Sequence, residues 1–71
     1  MSYEYFNELL ERQPFEPFTV QLSSGEEHEV RYPNSTKLTR TRMVIVDPDA
    51  DRIVVFSLRH VNGVKMLQPT D

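Results

Sequence analysis

Seventy-one residues, 38% of them hydrophobic and 27% charged, with no cysteine and a formal net charge of −3, describe one small domain that buries only about 60% of its unfolded surface. The missing cysteines exclude disulfides and thiolate metal sites, and two histidines argue against a structural zinc site. With no other staple for so small a core, a homo-oligomer is expected.

Tyr3, Phe6, Leu9 and Leu10 recur at three- and four-residue spacing and predict a helix over residues 3–12. Ser2 stands at the N-cap and Glu4 complements the positive helix end, while Glu8 and Arg12 are spaced for an i,i+4 pair. Pro14 ends the helix, because a residue before proline is pushed out of helical geometry. The connector, residues 13–17, and Phe18 offer two aromatic anchors, Phe15 and Phe18, for docking the helix or for meeting a protein partner.

Residues 18–67 read as a β-domain of five closely spaced strands. Phe18, Val20 and Leu22 alternate with Thr19 and Gln21 in a first strand. Ser23-Ser24-Gly25-Glu26 makes a turn with Gly25 supplying positive φ, and a second strand follows over residues 27–32. Pro33-Asn34-Ser35 breaks the chain before a third strand over residues 39–46, polar at its start and apolar on both faces at its end. That change of character suits strong bending or coverage by a second layer. Asp47-Pro48-Asp49-Ala50-Asp51 is a turn, residues 52–57 a fourth strand, Leu58-Arg59-His60 a tight corner, and residues 61–67 a last strand containing Gly63. The predicted fold is mostly β: an N-terminal helix followed by a five-stranded, strongly bent antiparallel sheet or small barrel.

The acidic start lacks the basic and apolar segments of a signal peptide, and no run approaches the ~20 apolar residues of a membrane span. A cytoplasmic protein with no membrane partner is the expectation, and the missing cysteines fit it. Charge is segregated: residues 1–30 carry −6, residues 31–46 carry +4, Asp47 to Asp51 add −3, and residues 52–71 carry +2. Such partition suggests one face meeting an oppositely charged partner, a neighbouring copy included.

In element order and in the segments Val20-Gln21-Leu22-Ser23-Ser24-Gly25 and Phe56-Ser57-Leu58-Arg59-His60, the chain resembles the Sm-like family that includes the bacterial RNA chaperone Hfq. It also resembles a group of short uncharacterised bacterial proteins sharing a Gln-Pro-Phe-x-Pro-Phe connector, here Gln13 to Phe18. The Sm-like resemblance implies a small barrel, a ring-forming oligomer and single-stranded RNA as ligand, with Arg59-His60 at the counterpart of a uridine-contacting corner. Tyr32-Pro33-Asn34-Ser35 stands where that family carries an Asp-Asn pair.

Lys37, Arg40 and Arg42, interleaved with Thr39 and Thr41, form the best candidate surface for a nucleic-acid backbone or another anion, extended by Arg59 and His60. On one strand Arg40 and Arg42 would share a face about 7 Å apart, with Tyr32 as a stacking aromatic. The competing reading pairs these cations with the helix glutamates, within or between subunits. His28, in phase with Val30 and Tyr32, reads as an inward structural residue. Asp47, Asp49 and Asp51 fail as a calcium loop, since Arg52 and Leu58 occupy the positions that demand Gly and Glu. Two glycines form no phosphate loop, and neither histidine has a nucleophile context. No catalytic residue, metal or cofactor is predicted. The expected function is a non-catalytic binding or assembly module contacting single-stranded RNA, or else a protein-interaction scaffold with no nucleic-acid role.

Overall fold

A computed structural model describes residues 1–67. The helix α1 (Tyr3–Glu11) begins where Ser2 caps it, its Oγ accepting the Tyr5 N–H at 3.2 Å. Phe6 and Leu9 are buried, and Glu8 pairs with Arg12 at 3.0 Å on the solvent side. The helix stops one residue before the predicted Arg12, which is extended and also reaches Glu16 at 3.6 Å. The phenyl ring of Phe18 lies 6.4 Å from Phe6 and 6.1 Å from Phe15, so one aromatic cluster joins helix, connector and sheet. Phe18 is completely buried and Phe15 packs against the core. Of the two uses expected for these rings, docking the helix onto the sheet is the one Phe18 serves; Phe15 packs beside it and stays partly exposed.

Six strands follow, not five: β1 (Phe18–Leu22), β2 (Glu27–Val30), β3 (Thr36–Leu38), β4 (Arg42–Asp47), β5 (Arg52–Ser57) and β6 (Val61–Met66). They form two three-stranded antiparallel sheets, ordered β2-β1-β6 and β3-β4-β5. Among the described residues no strand pairing joins the two sheets, which do not close into a barrel. Phe18, Val20, Leu22 and Val30 from the first sheet meet Met43, Ile45 and Phe56 from the second in one core, completed by Phe6, Leu9, Leu58 and Val61. Thr19 is also buried, as the outward residue of the central strand flanked in register by Glu29 and Lys65.

The predicted third strand starts too early: its polar start is a turn, its apolar end is β4, and an unpredicted strand, β3, precedes the turn. Thr39-Arg40-Thr41-Arg42 is a hairpin turn: the Thr39 N–H donates to the Arg42 carbonyl at 2.9 Å, and Thr39 Oγ1 accepts the Arg42 N–H at 3.0 Å. A threonine side chain that satisfies the backbone locally competes with a strand ladder, and here it wins. A 3₁₀ turn, Pro33–Ser35, carries the chain from the first sheet to the second, and a second, Leu58–His60, returns it. Gly25 takes φ 96° in the β1–β2 turn, and Asp51 takes φ 52° in the β4–β5 turn. No described helix is long and apolar enough to cross a membrane.

Candidate nucleic-acid interface

Two backbone hydrogen bonds build the site. The Leu58 N–H donates to the Thr41 carbonyl at 2.8 Å and binds the second 3₁₀ turn to the β3–β4 hairpin. The Ser23 N–H donates to the His60 carbonyl at 2.8 Å and binds the same turn to the β1–β2 turn. Three segments distant in sequence thus meet at one end of the molecule. Between them lie two clefts that share Arg42 and Ser57. One, of about 420 Å³, is lined by Ser23, Ser24, Arg42, Val55, Ser57 and His60, with Leu22 and Phe56 at its base. The other, of about 500 Å³, is lined by Arg40, Thr41, Arg42, Leu58 and Arg59, with Met1 and Ser57.

Arg40, Arg42, Arg59 and His60 therefore share one surface. All four are exposed, which keeps their head groups available to a ligand. Arg40 sits at the hairpin tip rather than beside Arg42 on a strand face. Lys37 stands apart: it lies on β3 opposite Val44 and lines neither cleft. Tyr32 is 65% exposed but lies near the other end of β4, where it lines a cleft with Glu29, Val46 and Pro48. It offers no stacking surface to the arginines, because the 3₁₀ turn at Pro33 carries the chain away before the basic segment begins.

These cations have no ion-pair partner among the described residues. Among the described residues the ion pairs are Arg12 with Glu8 and Glu16, Arg31 with Glu29, and His28 beside Glu26. Arg40, Arg42, Arg59 and Lys37 have no described carboxylate within 4.0 Å. The reading that joined them to the helix glutamates of the same chain is thus not what the structure displays; Arg12 takes that role. A negative group does stand at the cleft edge: Glu26 Oε1 accepts from the Ser24 hydroxyl at 3.2 Å.

The serines are the part of the surface that sequence reasoning missed. Ser23-Ser24 read only as turn residues, and Ser57 only as a strand end. No described hydrogen bond links His60 to any of these hydroxyls, the contact that would activate one as a nucleophile. Ser24 Oγ is engaged by Glu26, donating to its carboxylate and accepting its N–H, so the exposed guanidiniums and the Ser23 and Ser57 hydroxyls are the groups left to meet phosphate oxygens. His28, by contrast, belongs to the interior: it stacks on Phe56 at 6.1 Å and 13°, with Nε2 3.8 Å from Glu26. Asp47 ends β4 opposite Arg52, Asp49 and Asp51 lie in the β4–β5 turn, and the described residues hold no group of three His, Asp or Glu side chains arranged for a metal ion.

No family model, curated protein or solved structure matches this chain.

Proposed function

We propose that the protein is a non-catalytic cytoplasmic module that binds the phosphate backbone of single-stranded RNA at the end carrying Arg40, Arg42, Arg59 and His60. The observation that carries this reading is the gathering of three exposed guanidiniums, none with a described carboxylate partner, around two connected clefts edged with hydroxyls. Unpaired cations cost nothing to desolvate from internal partners and release condensed counterions when a polyanion docks. The net charge of −3 sets a limit: the attraction is local, not a property of the whole surface.

RNA is preferred over other polyanions because the chain resembles the Sm-like family around Phe56-Ser57-Leu58-Arg59-His60. The sheet order is compatible with that resemblance. β2 and β3 lie in different sheets on either side of one 3₁₀ turn, as a single strongly bent strand of a small barrel would if broken at Pro33. The test is direct titration of nuclease-treated protein with a labelled single-stranded uridine oligomer. The double variant Arg40→Glu, Arg42→Glu should bind at least about tenfold more weakly at low salt, with unchanged circular dichroism. Equal affinity for both proteins would end the RNA reading and turn the search to a protein partner.

A further inference from the structure

Each sheet has two outer strands, and three of the four carry a device that discourages pairing with another chain. β2 carries Glu27 and Glu29; β3 is three residues long and carries Lys37; β6 carries Lys65 and a register shift opposite Gln21 and Leu22. β5 has none of these. It pairs with β4 over six consecutive residues without a shift, and its one charge, Arg52, stands at its first position. Its outward residues Ile53 and Val55 are 67% and 57% exposed, and they continue in register into Val46 and Val44 on β4. Apolar β-branched residues on an undefended edge mark an interaction surface.

We propose that β5 pairs antiparallel with β5 of a second copy, joining two β3-β4-β5 sheets into one six-stranded sheet about a two-fold axis at Val54. The register follows from the pleat. Opposed residues of an antiparallel pair point to the same face, so outward Ile53, Val55 and Ser57 must face outward residues of the second copy. Centring the axis on Val54 sets Ile53 of each copy against Val55 of the other, so this contact forms twice.

Charge selects the second copy as occupant and fixes the direction. The β4–β5 hairpin is acidic at its closed end, with Asp47, Asp49 and Asp51, and basic at its open end, where Arg42 faces Ser57. Antiparallel docking brings Asp51 of one copy beside Ser57 of the other, and so the acidic turn toward Arg42, at both ends of the joint. Parallel docking would set acid against acid and base against base. A two-fold pair also consumes the open edge on both copies, which ends growth at two chains. The joint covers Val55 and Ser57, which also line the smaller cleft at the basic end, so it is tested on nuclease-treated protein with no oligonucleotide present.

Absolute mass by light scattering, over a concentration series, should rise to twice the chain mass. Val55→Lys, an exposed change that removes no core contact, should halve it with unchanged circular dichroism. The second measurement uses a chain that has no cysteine of its own. Val54→Cys lies on the axis, opposite itself, at the Cα separation of about 4.5–5.5 Å that antiparallel pairing gives and a disulfide accepts. Mild oxidation should link it into a covalent dimer, whereas Ile53→Cys, two positions off its own copy, should stay unlinked. A monomer at every concentration, open-ended aggregates, a dimer that survives Val55→Lys, or equal cross-linking at both positions would overturn the proposal.

Discussion

Arg42 lines both clefts, whereas Arg40 and Arg59 line only one. Its removal should therefore weaken RNA binding most. Three guanidiniums, each displacing counterions from a single strand with a logarithmic slope near 0.7, give an overall slope of about −2. Between about 50 and 200 mM salt that slope corresponds to about a 20-fold loss of affinity. Arg42→Ala should reduce the slope to about −1.4, so the same change of salt would cost only about sevenfold. The substitution should leave the fold intact, because Arg42 is exposed and opposes only Ser57 at the strand end. Fluorescence anisotropy with a labelled uridine oligomer across a salt series measures both affinity and slope. Lys37→Ala is the internal control, since Lys37 lines neither cleft, and it should leave the slope unchanged. Equal effects of Lys37→Ala and Arg42→Ala would refute the reasoning: they would mean that charge in general, not this site, attracts the ligand.

The fold makes its own predictions. Phe6 is fully buried against Phe18, so Phe6→Ala should cost about 3–5 kcal/mol. A domain of this length holds only about 4–10 kcal/mol in total, so urea denaturation followed by circular dichroism should find the variant close to unfolding. Thr36 Oγ1 is buried with no described hydrogen-bond partner; Thr36→Val keeps the shape and should raise the urea midpoint by about 1 kcal/mol equivalent. Gly25 has φ 96° and open space where a Cβ would stand. Gly25→Ala should therefore destabilise through the backbone alone, by about 1–2 kcal/mol, and a smaller loss in the same assay would show that the turn relaxes.

Much of the fold was legible because its signals are local. The spacing of Tyr3, Phe6, Leu9 and Leu10 and the Ser2 cap place the helix to within one residue; alternation places β1, and β-branched content places β5. The third strand was misread because Thr39-Arg40-Thr41-Arg42 satisfies strand propensity, while its turn depends on a side-chain bond from Thr39 that composition does not reveal. The extra strand, Thr36–Leu38, lies just before the predicted third strand and pairs back on β4 across that turn, which makes six strands of five. At the candidate site the residue types were legible and their grouping was not. Arg40, Arg42, Arg59 and His60 come together through the Thr41–Leu58 and Ser23–His60 backbone bonds, which join distant segments. The same long-range geometry moves Tyr32 away and brings Ser23 and Ser57 in. Phe18 shows the converse: a residue that could serve a partner or the core is claimed by the core, because Phe6 and Phe15 are near enough to enclose it.

Amide chemical shifts recorded during titration with a single-stranded uridine oligomer test the central claim most directly, since they report where the ligand lands as well as whether it binds. The account predicts that the largest changes fall on Ser23, Ser24, Arg40, Thr41, Arg42, Arg59 and His60, the residues around the two clefts. Changes centred instead on Tyr32 and the β4–β5 turn, or no changes at any ratio of oligomer to protein, would contradict it.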